Sequence, residues 1–119
     1  MCKKKMFLVC VILVLLSFSG FAMAHPPSEV RVDYDSVSEI LVVEAFHSVG
    51  DPVNHFIESI LVSVDNEPYY ELVSKRQTDS SAAEALFYLP DLSPGTRVEV
   101  EVKCSRFGSR KAVLIVDQE

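Results

Sequence analysis

From residue 28 onward the chain alternates apolar and polar positions in short runs that turn residues interrupt. Val30, Val32 and Tyr34 alternate with Arg31 and Asp33, and Val98, Val100 and Val102 alternate with Glu99, Glu101 and Lys103. Between them lie Ile40 to Phe46, rich in β-branched residues, a looser alternation from Phe56 to Val64, and the two-tyrosine run Pro68 to Val73. Ala83 to Leu89 and Ala112 to Val116 complete the set. Period-2 patterning places every second side chain on one face of a strand. Asp35-Ser36, Gly50-Asp51-Pro52, Asp65-Asn66-Glu67, Asp79-Ser80-Ser81 and Ser93-Pro94-Gly95 carry the turn chemistry that separates such strands. Short strands at this spacing predict an all-β domain, an immunoglobulin-like seven-stranded antiparallel β-sandwich. Asp65-Asn66-Glu67 reads as a tight hairpin turn, and Asp79 to Ala85 has room for a helical turn.

The first 24 residues follow another pattern. Lys3, Lys4 and Lys5 precede an unbroken apolar run, Met6 to Leu16, and then a small-residue stretch ending in Ala22-Met23-Ala24. Charge, apolar core and an A-x-A site in that order make a secretory signal peptide, expected as a signal helix over 1–24 and cut before His25. An uncleaved anchor is the rival reading, since Met6 to Ala24 is 19 residues, close to a membrane span. Ser17, Ser19 and Gly20 weaken the end of that run and favour cleavage. Residues 25–119 then form one exported domain, periplasmic or extracellular, with no stable membrane association after processing. Of the 11 Lys and Arg in the 119-residue chain, three go with the leader. The remaining 8 face 17 Asp and Glu, a net charge of −9. That balance disfavours nucleic acid and anionic membranes as partners.

Processing also changes the cysteine count. Cys2 and Cys10 leave with the leader, so Cys104 is alone and has no disulfide partner within the domain. A lone exported thiol is kept by burial, by pairing between chains or by a metal. Cys104 shares strand parity with Val98, Val100 and Val102, and His47 shares it with Leu41, Val43 and Ala45, so both point inward at strand ends. His55 follows across a short loop, and His25 is the expected new N-terminus. Singly, each is more commonly a core or surface residue than a ligand. Together, these three His and one Cys are a candidate metal set.

Three segments carry a resemblance. His25-Pro26-Pro27, then His47 with His55-Phe56-Ile57-Glu58-Ser59-Ile60, and finally Cys104-Ser105-Arg106-Phe107-Gly108-Ser109-Arg110-Lys111-Ala112 resemble the iron-binding domain of desulfoferrodoxin and superoxide reductase. The resemblance implies an immunoglobulin-like sandwich holding one non-haem iron between a plane of four imidazoles and an axial thiolate. It implies His47, His55 and Cys104 as ligands, with His25 as a further one. Three departures accompany it. Phe107 stands where the family has its fourth histidine, the loop between His47 and His55 is longer, and the family's Glu-Lys pair, whose lysine attracts superoxide, has no counterpart.

The sequence therefore leads to an exported mononuclear iron protein, an oxidoreductase of the superoxide reductase type served by a small redox electron donor. A copper- or zinc-binding carrier that uses the imidazole and freed α-amine of His25 is the alternative from another class. A metal-free β-sandwich interaction module is the third.

Overall fold

A computed structural model describes residues 3–6 and 25–117 of the chain. The apolar core of the expected signal peptide lies outside the described residues. Seven strands follow one another: β1 (Glu29–Asp35), β2 (Ile40–Phe46), β3 (Ile57–Val64), β4 (Glu67–Val73), β5 (Ala82–Tyr88), β6 (Arg97–Cys104) and β7 (Ser109–Ile115). They form two antiparallel sheets, one ordered β1-β2-β5 and the other β4-β3-β6-β7. The expected seven-stranded sandwich is what the chain adopts. In the constant-type immunoglobulin arrangement the fourth strand extends the sheet of strands one, two and five. Here β4 pairs with β3, because only Asp65 and Asn66 separate them. Both residues have positive φ, 47° and 68°, the geometry of the tight turn whose twist suits a hairpin.

The core is the inward half of each alternation. Leu41, Val43 and Ala45 of β2 and Val98, Val100 and Val102 of β6 are buried between the sheets, together with Ile60 and Val62 of β3 and Phe87 of β5. Burial of each of these side chains larger than alanine contributes about 1.5–3 kcal/mol. Strand β3 breaks its own alternation for a structural reason. Ile57 pairs with Cys104 and Ser59 with the adjacent Lys103, so Glu58 is an extra residue in the ladder. A bulge of this kind shifts the parity of a strand and re-aims what precedes it. Ile57 is thereby turned inward, and the chain leading back to His55 enters the end of the sandwich beside Cys104.

The segment before β5 differs from expectation. No helical turn forms between Asp79 and Ala85. Asp79 Oδ1 accepts the backbone N–H groups of Ser81 and Ala82 at 2.7 and 3.0 Å, and β5 begins directly at Ala82. Short acidic side chains compete with helix in this way by binding nearby backbone donors.

Candidate metal centre

One end of the sandwich gathers His25, His47, His55 and Cys104. The three imidazoles each offer a ring nitrogen, and these atoms all lie within 4.8 Å of one another. The ring centroids of His47 and His55 are 4.7 Å apart, with His25 at 4.9 and 5.4 Å from them. His55 Nε2 lies 3.1 Å from Cys104 Sγ. His47 and Cys104 are inward-facing strand-end residues, as parity requires, and both are almost wholly buried.

Each of the four is positioned by a separate device. Cys104 ends β6, and its N–H donates to Gly108 O at 3.0 Å, closing a turn that brings Arg106 N–H to within 3.4 Å of Sγ. His55 ends a turn organised by Asp51, whose main-chain oxygen accepts the N–H groups of Asn54 and His55 at 3.2 and 3.0 Å. The Asp51 carboxylate accepts Val53 N–H at 2.9 Å and Asn54 Nδ2 at 2.7 Å. The loop between His47 and His55 thus carries its own internal support. His25 is held through its neighbours. Pro27 is buried, its oxygen accepts Arg110 Nε at 2.7 Å, and Pro26 lies against Gly108.

That last contact gives Gly108 two reasons to be glycine. Its φ is +83°, and a Cβ there would lie 2.9 Å from Pro26 Cβ and 3.3 Å from Pro26 Cα. Gly108→Ala is expected to cost about 1–2 kcal/mol from backbone handedness alone. It also pushes the Pro26 segment, and His25 with it, off the site. Denaturant titration and metal affinity of the variant check both effects.

Gln77 carries the most informative contact. It is 2 % exposed, and its Nε2 donates to two main-chain oxygens, His47 O at 2.8 Å and Asp79 O at 2.7 Å. Two carbonyls can only face the nitrogen end of the amide, so the orientation of Gln77 is fixed. Its Oε1 therefore accepts from His47 Nδ1–H at 2.9 Å. A neutral His47 then carries its lone pair on Nε2, which lies 3.3 Å from His25 O. A lone pair facing a carbonyl oxygen is relieved by a proton on Nε2 or by a cation that both can reach. Metal-bound histidines are typically held by such an acceptor on the other ring nitrogen.

Burial, reinforced by the neighbouring His47, Arg106 and His25, pushes the His55 imidazole below its usual pKa. The neutral form, the one that ligates, persists to lower pH. The sign for stability follows. Below about pH 6.5 the unfolded chain takes up this proton more readily than the folded one, so stability is full above that pH and falls below it. Metal-free protein is therefore expected to lose stability on acidification from pH 7 to 5, and His55→Ala should flatten that loss. Urea midpoints across the range test it.

One pair in the set already has the spacing of two donors on a single ion. With metal–nitrogen and metal–sulfur bonds of about 2.1 and 2.3 Å, donors at right angles about one ion are about 3.1 Å apart. His55 Nε2 and Cys104 Sγ have that separation. Phe107 contributes a side chain that is 65 % exposed in the loop between β6 and β7. Sequence reasoning picked out the four residues that gather here and the turn at Asp51, but not Gln77 or the contact between Gly108 and Pro26. Gln77 sits in an aperiodic loop, where nothing in the spacing separates a buried amide from a solvated one.

Comparison with known proteins finds no matching family model and no matching curated protein. On its geometry alone, the cluster of His25, His47 and His55, with Cys104 beside it, is a site that can hold a metal ion.

Proposed function

We propose that the protein is an exported mononuclear non-haem iron protein that reduces superoxide or a related small oxidant. The observation that carries this reading is the contact of Cys104 Sγ with His55 Nε2 at the side of a three-histidine cluster. Neutral imidazoles hold a ferrous ion without adding charge, and a thiolate raises the electron density available to it. When bound, the iron supplies one electron, which with two protons converts superoxide to hydrogen peroxide, and a small redox partner restores that electron.

The chain's own residues have distinct tasks in this reading. His25, His47, His55 and Cys104 hold the ion. Gln77 keeps the His47 lone pair on Nε2, aimed into the site. Arg106 N–H donates to the sulfur and limits its charge, which moderates how strongly the thiolate donates. Without the family's lysine, and with a net charge of −9 after processing, turnover is expected to be slower than in that family.

The test is superoxide consumption by iron-loaded protein with a chemical reductant, compared with His47→Ala and with the metal-free protein. Stoichiometric peroxide formation by the wild type alone supports the reading. Tight iron binding without any superoxide reduction would reject the activity and favour a carrier. The alternative carrier, for copper or zinc, is favoured by the position of the His25 main chain at the site.

A further inference from the structure

We propose that the α-amino nitrogen of His25, freed when residues 1–24 are removed, is itself a donor to the metal, so that processing of the chain completes the centre. This rests on the exported metal-protein reading above and deepens it. The main chain of His25, not only its ring, lies within the donor set, because His25 O is 3.3 Å from the buried Nε2 of His47. Within one residue the main-chain nitrogen is only about 3–4 Å from the carbonyl oxygen. The amine is therefore within reach of an ion bound to His47.

The segment that carries His25 is fixed on the body of the domain. Pro26 packs on Gly108, Arg110 Nε donates to Pro27 O at 2.7 Å, and Ser28 N–H donates to Phe46 O at 2.8 Å. The chemistry of the nitrogen changes on cleavage. In the uncut chain it is a peptide nitrogen whose lone pair is delocalised into the carbonyl and does not ligate. In the processed chain it is an amine, and with Nδ1 of the same histidine it closes a six-membered chelate ring. Nδ1 lies 3.1 Å from Pro26 O, a contact between adjacent residues that a turn of the ring exchanges for the metal. Pro26 has no N–H, so a metal cannot displace a proton from the first peptide nitrogen and be drawn away along the terminus. Chelation stops at His25. A neutral amine adds one nitrogen donor to three imidazoles and one thiolate. The ions suited to this set are divalent first-row metals that accept neutral nitrogen and thiolate together.

The test uses two forms of the chain, one beginning at His25 and one carrying an added glycine before it. All seven strands and the buried Pro27 lie after this point, so both forms are expected to unfold at the same temperature when metal-free. The added residue moves the free amine about 3.8 Å along the chain and turns the His25 nitrogen into an amide. Cobalt(II), which does not oxidise the thiol, and ferrous iron are titrated into each, with the visible cobalt bands reporting the donor set. Losing this donor is expected to weaken affinity about tenfold or more, at least what loss of an outer-shell partner costs, and to shift the cobalt bands. Equal affinity and identical bands in the two forms overturn amine ligation and leave the metal-protein reading standing. No binding by either form overturns both.

Discussion

Cys104→Ser is expected to abolish the sulfur-to-iron charge-transfer band of the oxidised iron protein while leaving the sandwich folded. The band requires overlap between sulfur and iron orbitals, and among the described residues Cys104 is the one cysteine beside the histidines. Serine occupies nearly the same volume at this buried strand end, and its hydroxyl can still pair with His55 Nε2, so no unpartnered polar group is created. Metal affinity is expected to fall about 10–100-fold or more, since a direct donor is at least as valuable as an outer-shell one. Absorption spectra and ferrous titrations of both proteins measure this, with circular dichroism to check the fold. Persistence of the band in the serine variant would remove Cys104 from the ligand set.

The second large effect is expected at Gln77, which touches no metal in this account. Gln77→Leu keeps most of the volume but removes the acceptor for His47 Nδ1–H and the donor to two main-chain oxygens. Stability should fall by about 1–3 kcal/mol, the usual cost of stranding buried polar groups. Ferrous affinity should fall by about 10–100-fold as His47 loses its fixed tautomer. Nitrogen chemical shifts of the His47 ring separate the two effects. The wild-type protein, metal-free, is expected to show the Nδ1–H tautomer, and the leucine variant a mixture. Unchanged affinity in a folded variant would make Gln77 a structural residue only.

Much of this molecule can be read from alternation. Parity alone places His47 beyond Ala45 and Cys104 beyond Val102 on the inward faces of β2 and β6, and both are buried there. The Asp65-Asn66 hairpin is equally legible, because a two-residue turn with positive φ at both positions suits those side chains. What alternation cannot convey is irregularity. The bulge at Glu58 changes the parity of β3 at its start, and with it the approach of His55 to Cys104. The helical turn expected near Asp79 gives way to side-chain hydrogen bonds from Asp79 itself. Gln77 is a long-range contact, made to a residue thirty positions earlier. Its burial depends on how two loops meet, where Gln77 N–H donates to Pro52 O at 3.1 Å. Gly108 belongs to the same class, since its need for a bare Cα comes from Pro26, which is distant in sequence.

The measurement that bears most directly on the whole account is metal content per chain after the processed protein is reconstituted with ferrous iron, and in parallel with copper and zinc, then freed of loosely bound ions. The account predicts one iron per chain, retained by the wild type and lost when His47→Ala and Cys104→Ser are combined. Sub-stoichiometric content for all three metals, or iron retained equally by the double variant, would contradict it.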